Sequence, residues 1–256
     1  MEQTKQEIIV YVDRGVDGAS LKHTVKALQQ EVDLNLYTLR RLDAKNLLAE
    51  RWNDRAALVV FPGGRDIYYH AALDGMGTAK IRSFVEKGGA YLGICAGAYF
   101  GSSDIEFEKG GSYEVCQKRS LAFFPGVAIG PAYGKNKYRN DSLQGLEAAH
   151  ISWKDSSFHA YFNGGCQFEG DFSGVEVLSS YLELEGDPAA VVACQVGQGK
   201  AVLSGVHLEY QAGSLSRTNP CVERVYHLLE KGEPQRRSVF RDVLSHLNIA
   251  IRYYSF

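Results

Sequence analysis

The 256-residue sequence is poorest in the features that would place a protein in a membrane, on nucleic acid or outside the cell. No apolar run approaches the roughly 18 residues needed to span a bilayer. The opening MEQTKQE is polar and mixed in charge, which is not the pattern of a secretory signal. Charge of one sign is scarce too. The 28 Lys and Arg nearly balance the 30 Asp and Glu, leaving a net charge of −2, so neither nucleic acid nor a membrane surface is expected as a partner. Cysteine is sparse and unpaired: Cys95, Cys116, Cys166, Cys194 and Cys221 are odd in number and form no C-x-x-C. That argues against a disulfide framework or a thiolate zinc site, and for a reducing, cytoplasmic setting. There is no internal repeat, and the glycine-rich stretches are too short to be linkers.

What remains is an ordinary globular composition, 45% apolar and 23% charged. The length suits a single domain over residues 1–256 with a full core. The first half alternates between strand and helix patterns. EIIVYV (7–12) reads as a strand, followed by the glycine turn DRGVDG. A helix from a Ser20 cap to Gln30 has Leu21, Val25 and Leu28 on one stripe. LNLYTL (34–39) alternates like a strand, and Asp43 opens a helix to about Trp52. AALVVF (56–61) is continuously apolar, as a strand covered on both faces should be. A helix over 78–87 stops at Gly88-Gly89, and AYLGI (90–94) follows as a strand. This order predicts an α/β fold, a doubly wound and mostly parallel sheet. From about 104 to 190 the pattern changes to short alternating runs with many glycines and aromatics, which predicts an antiparallel extension. AVVACQV (190–196) and KAVLSGV (200–206) read as two strands around the turn GQG. Cys221–Leu229 and Ser238–Leu247 read as two closing helices.

The chemistry concentrates at the end of the AYLGI strand. In Gly93-Ile94-Cys95-Ala96-Gly97 the cysteine has small residues two positions before and after it. A strand that turns at once into a helix needs such residues, because the backbones pack closely there. This is the nucleophile elbow of G-x-S-x-G with sulfur in place of oxygen. It would put the Cys95 sulfur at a helix N-terminus, where thiolate is favoured. The alternative is a buried thiol packed as a small hydrophobe. A nucleophilic cysteine needs a base and the base an orienting group. His207, at the end of the 200–206 strand, has Glu209 two residues on, on the same side of an extended chain. His23 and His70 lack this setting and read as packed or solvated. VVFPGGRD (59–66) offers the backbone amides of Gly63 and Gly64 for an oxyanion, with that of Ala96 as a further donor. Arg65 could contact substrate or pair on the surface. Tyr133, Tyr138, Trp153, Tyr161 and Phe162 could line a pocket but read mostly as core, and the basic loop 134–141 reads as a solvated face.

PGG after the third strand, G-x-C-x-G at the elbow and H-x-E near the end resemble the class I glutamine amidotransferase-like superfamily, in the chain order Cys, His, Glu. FPGGRD, GGAYLGICAGAYFGSSDIEFEKG, RSLAFFPGVAIGP and LKHTVKALQ are similar to the N-terminal domain of biotin-protein ligases and its stand-alone bacterial relatives, over about residues 7–210. The resemblance implies a flavodoxin-like fold, with Cys95 as nucleophile, His207 as base, Glu209 as its orienting carboxylate, and Gly63, Gly64 and Ala96 around the oxyanion. The position four residues after the nucleophile, where glutaminases of this class carry glutamine, is Tyr99. Tyr99 is thus a candidate substrate contact and glutamine an unlikely substrate. Nothing resembles a biotin-ligase catalytic domain, so biotinylation is not expected.

Two functions follow. One is a cysteine-dependent amidase, hydrolase or amidotransferase-like enzyme acting on a small amide or acyl compound, with no metal or organic cofactor. The other is a non-catalytic regulatory module that binds a metabolite or a protein such as a biotin ligase. A redox or glyoxalase-like thiol protein ranks last, because histidine usually follows the cysteine there and Ala96 does so here. Oligomeric state is left open by the sequence.

Overall fold

The computed structural model describes residues 6–139 and 142–253. Its first half follows the expected alternation: β1 (Gln6–Tyr11), α1 (Gly18–Glu31), β2 (Tyr37–Leu42), α2 (Ala44–Ala49), β3 (Ala56–Phe61), α3 (Asp66–Leu73), α4 (Met76–Glu86), β4 (Ala90–Ile94) and α5 (Ala96–Gly101). The second half is mostly strand: β5 (Ser102–Phe107), β6 (Val115–Lys118), β7 (Phe124–Gly130), β8 (Leu146–Trp153), β9 (Ser156–Asn163), β10 (Gln167–Glu169), β11 (Val175–Ser180), β12 (Ala189–Val196) and β13 (Gly199–Ser204), closed by α6 (Pro220–His246).

Strands β2, β1, β3, β4 and β13 lie side by side and parallel. The sheet then continues through β12, β10, β7, β5 and β6, where the pairings are antiparallel except for β5 with β7. Strands β8 and β9 form a separate hairpin. The fold is thus the α/β, mostly parallel sheet with an antiparallel extension that the pattern predicts.

The apolar runs are continuous because both faces of the central strands are covered. Successive side chains alternate between the faces. Ile8, Val10, Leu58, Val60, Leu92 and Ile94 join one core, which includes residues of α1 and α6. Ile9, Tyr11, Val59, Phe61 and Tyr91 join the other, against α2 to α5.

Three boundaries differ from expectation. Helix α1 is capped by Asp17, whose carboxylate accepts from the Ser20 amide at 2.7 Å; Ser20 lies inside the helix, and its hydroxyl is used elsewhere. The second strand begins at Tyr37 because Asp33–Leu36 forms a turn, with the Leu36 and Tyr37 amides donating to the Asp33 carbonyl. The two closing helices are one, running through Pro234. Val225, Leu229, Gly232, Arg236, Val239, Phe240 and Val243 keep a buried stripe at helical spacing across the gap between the two expected helices. Arg236 is accommodated there by an ion pair with Glu233 and a bond to the Leu208 carbonyl. No described helix is long and apolar enough to cross a membrane.

Candidate functional site

Cys95 occupies the turn between β4 and α5 with φ 50° and ψ −103°, in the left-handed region that non-glycine residues rarely adopt. Its amide donates to the Ser204 carbonyl at 2.8 Å, so the end of β13 pins the turn. The flanking glycines are steric requirements. A Cβ at Gly97 would stand 2.1 Å from the Phe61 carbonyl oxygen, and one at Gly93 would stand 2.3 Å from that of Gly97. Strained backbone of this kind costs about 1–3 kcal/mol and persists only where the surroundings over-determine it.

After β13 the chain passes through Gly205 and Val206 to His207. The His207 amide donates to the Tyr161 carbonyl at 2.8 Å, so β9 sets its position. Nδ1 of His207 lies 2.7 Å from Oε1 of Glu209. A turn over 208–209 makes this contact, in place of the extended chain expected. Both side chains are buried, Glu209 completely. Burial alone would lower the His207 pKa. Burial is the largest single cause, but the Glu209 charge and the hydrogen bonds of the ring to Cys95 and Glu209 together outweigh it, and the pKa rises to about 10. The structure therefore brings Cys95, His207 and Glu209 together. The Cys95 sulfur also faces the Asn163 carbonyl at 3.9 Å.

The Gly63–Gly64 loop is more constrained than its sequence suggested. The Gly63 amide donates to Ser20 Oγ at 2.8 Å, and Ser20 Oγ in turn lies 3.5 Å from Glu209 Oε1. Gly63 is thereby tied to the carboxylate side of the site, and its N–H is not free for a substrate oxygen. Among the described residues the amides of Gly64 (φ 148°) and Ala96 donate to no protein group. Arg65 is exposed, with its guanidinium 5.0 Å from the Tyr68 ring. Tyr99 is buried and donates to the Gly164 carbonyl at 3.1 Å.

Cys95 stands between two cavities. The smaller, about 230 Å³, has walls that include Arg65, Ala96, Tyr99, Phe107, Tyr113 and Tyr138. The larger, about 870 Å³, is bordered by Ser20, His23, Gly63, Tyr161, His207 and Tyr210 among others. Gly64, Tyr138 and Asn163 line both.

Sequence reasoning missed Ser20 and Asn163 as parts of the site, and it named Tyr161 as a possible pocket residue without its backbone contact to His207. Ser20 carried a visible signal, a hydroxyl in a helix, but it read as a cap. Tyr161 and Asn163 act through backbone carbonyls, which any residue could supply. Tyr138 and Tyr161 border the cavities, whereas Trp153 and Phe162 are core and Tyr133 packs against Phe162 and Tyr181. His23 is packed as expected, stacked on Tyr210 at 3.9 Å, and burial pushes its pKa down to about 4. His70 lies 3.7 Å from Asp74, which caps the C-terminus of its helix one turn on. The loop residues Gly134–Lys137 are exposed, whereas Asn140 and Asp141 fall outside the described residues.

Three kinds of likeness accompany this geometry. A sequence model of the family described as "Biotin-protein ligase, N terminal" matches residues 6–254. An uncharacterized protein of Chlamydia muridarum is 46% identical over 212 residues, covering 80% of this chain and 81% of its own. A biotin–protein ligase of Schizosaccharomyces pombe is 38% identical over 214 residues; the match covers 80% of this chain but 33% of the ligase. Among solved structures, a glutamine amidotransferase superposes with a TM-score of 0.56 at 19% identity, covering 87% of this chain and 98% of that one. The PurLQS structure from Thermotoga maritima gives 0.55 at 15% identity, covering 86% and 97%. At these identities the structures speak for the fold.

Proposed function

We infer the function from one premise: the chain belongs to the biotin-protein ligase N-terminal family, on a glutamine amidotransferase-like fold. We propose that it is a cysteine-dependent amidase. The observation that carries this reading is the buried His207–Glu209 pair set beside a cysteine held at positive φ. With Nδ1 bound to Glu209, Nε2 of His207 holds the proton drawn from the Cys95 thiol, the charged state that the raised His207 pKa favours. The Cys95 sulfur then attacks the amide carbonyl carbon, and the developing oxyanion lies against the Gly64 and Ala96 amides. His207 returns the proton to the leaving nitrogen as the C–N bond breaks, leaving a thioester on Cys95. Water, deprotonated by His207, attacks the thioester. Carboxylic acid is released and the thiol is regenerated. Glu209 holds the ring's orientation throughout and stabilises its positive charge in the steps where it is protonated.

The cavities suggest how a substrate lies. His207 borders the larger cavity and not the smaller. A leaving amine must receive its proton from His207, so it occupies the larger space, and the acyl group lies in the aromatic one beside Tyr99 and Arg65. A leaving group larger than ammonia fits this volume, which favours secondary amides over glutamine. Measuring acid and amine release from paired primary and secondary amides, with Cys95→Ala as control, tests this. Cys95-dependent turnover favouring the secondary amide supports it, and turnover unaffected by Cys95→Ala overturns it.

A second reading is favoured by the Schizosaccharomyces pombe relative, in which the matched segment is a third of a larger ligase. Under it the same cleft binds a small molecule and the chain acts as a module that regulates a biotin ligase. Co-purification and titration with a biotin ligase, in native protein and Cys95→Ala, separates the readings: binding without turnover would favour the module.

A further inference from the structure

We propose that His150, His159 and Glu183 form a divalent-metal site, suited to zinc, on the outer flank of the β8–β9 hairpin. His150 and His159 face each other across the hairpin, with ring centroids 4.7 Å apart and planes 15° apart. A third extended segment lies beside them. Ile151 pairs with Tyr181, and the Leu182 amide donates to the His150 carbonyl at 2.9 Å, which brings Glu183 alongside His150. Three neighbouring segments thus each supply one ligand, and the donor atoms lie within 4.8 Å of one another.

Tetrahedral zinc with bonds of about 2.0–2.1 Å holds its donors roughly 3.4 Å apart. The histidines are half-buried and Glu183 is exposed, so side-chain rotation alone can close the difference. Two imidazoles and a carboxylate are a ligand set zinc accepts, with water in the fourth place. Outer partners already orient it: Ser157 Oγ lies 3.0 Å from Nε2 of His150, and Tyr133 donates to Glu183 at 3.2 Å. The assignment does not rest on the proposed amidase chemistry. It does bear on the same strand, because β9 carries His159 and then the Tyr161 and Asn163 carbonyls that meet His207 and Cys95.

The test is calorimetric titration of zinc into the full chain carrying Cys95→Ser and Cys116→Ser, which removes the site thiol and the exposed one. One zinc per chain is expected, with affinity falling about tenfold or more in His150→Ala, His159→Ala and Glu183→Gln. Because Glu183 is exposed, its variant reports even if a histidine variant fails to fold. Absence of zinc binding in the parent, or affinity unchanged in Glu183→Gln and in the folded histidine variants, overturns the proposal.

Discussion

The two sides of the Cys95 sulfur are built differently. On one side Ala96, Tyr99, Phe107 and Tyr138 make a small aromatic wall, packed through edge-on ring contacts. On the other, Ser20, His207 and Glu209 form a buried polar chain reaching back to Gly63. The first side can select a substrate by shape, and the second can move a proton. One cysteine serves both because the β4–α5 turn holds it at their boundary.

The comparison breaks outright if the sulfur is idle. Cys95→Ser should lower Cys95-dependent amide turnover by about 10⁴- to 10⁶-fold, the range for removing a member of a catalytic triad. Under the nucleophile reading, iodoacetamide labelling below neutral pH should mark Cys95 first, because the buried His207–Glu209 pair lies beside its sulfur. Equal labelling of all accessible thiols would overturn the nucleophile reading. The turn itself is tested by Gly97→Val. Its Cβ meets the Phe61 carbonyl oxygen, and overpacking of that kind should cost about 1–3 kcal/mol in denaturant unfolding.

The polar side makes a pH-dependent prediction. The His207 pKa is raised from 6.5 to about 10, chiefly by Glu209 against burial. A raised folded pKa stabilises fully below the unfolded value and loses that stabilisation as pH rises through the folded one. Stability of native protein relative to His207→Gln should therefore decline above pH 6.5 and level off above about 10. A flat difference across that window would sink the ion pair. Ser20→Ala should remove the acceptor of the Gly63 amide, at about 1–3 kcal/mol for a buried donor left unpaired, and should shift the pH profile of thiol labelling as well. The smallest effect belongs to the aromatic side. Tyr99→Phe loses one bond to Gly164, about 1 kcal/mol, and leaves the labelling profile of Cys95 in place.

Much of this was legible in the chain. AALVVF and AYLGI could only be central strands, since every position is apolar and both faces must be covered. G-x-C-x-G announced the elbow because the steric demand is local. H-x-E pointed to a paired histidine and carboxylate, although a turn, and not a strand, brings them together. Helix α6, read as two, is one because a buried stripe continues past Pro234, a pattern visible only over its 27 residues. Ser20 was legible as a hydroxyl in a helix and illegible as a link in the site, because its partner Glu209 lies 189 residues away.

Period and steric size act between near neighbours, so the alternating order of residues was enough to set the parallel sheet, its two buried faces and the turn at Cys95. Sequence order does not say which distant segments meet. The pinning of Cys95 by Ser204, the seating of His207 against Tyr161, the Ser20 bridge and the two unequal cavities all come from the packing of β9, β13 and α1 around one strand end. Each depends on chain-distant backbone groups finding partners away from water, a requirement that is met only once the whole sheet has assembled.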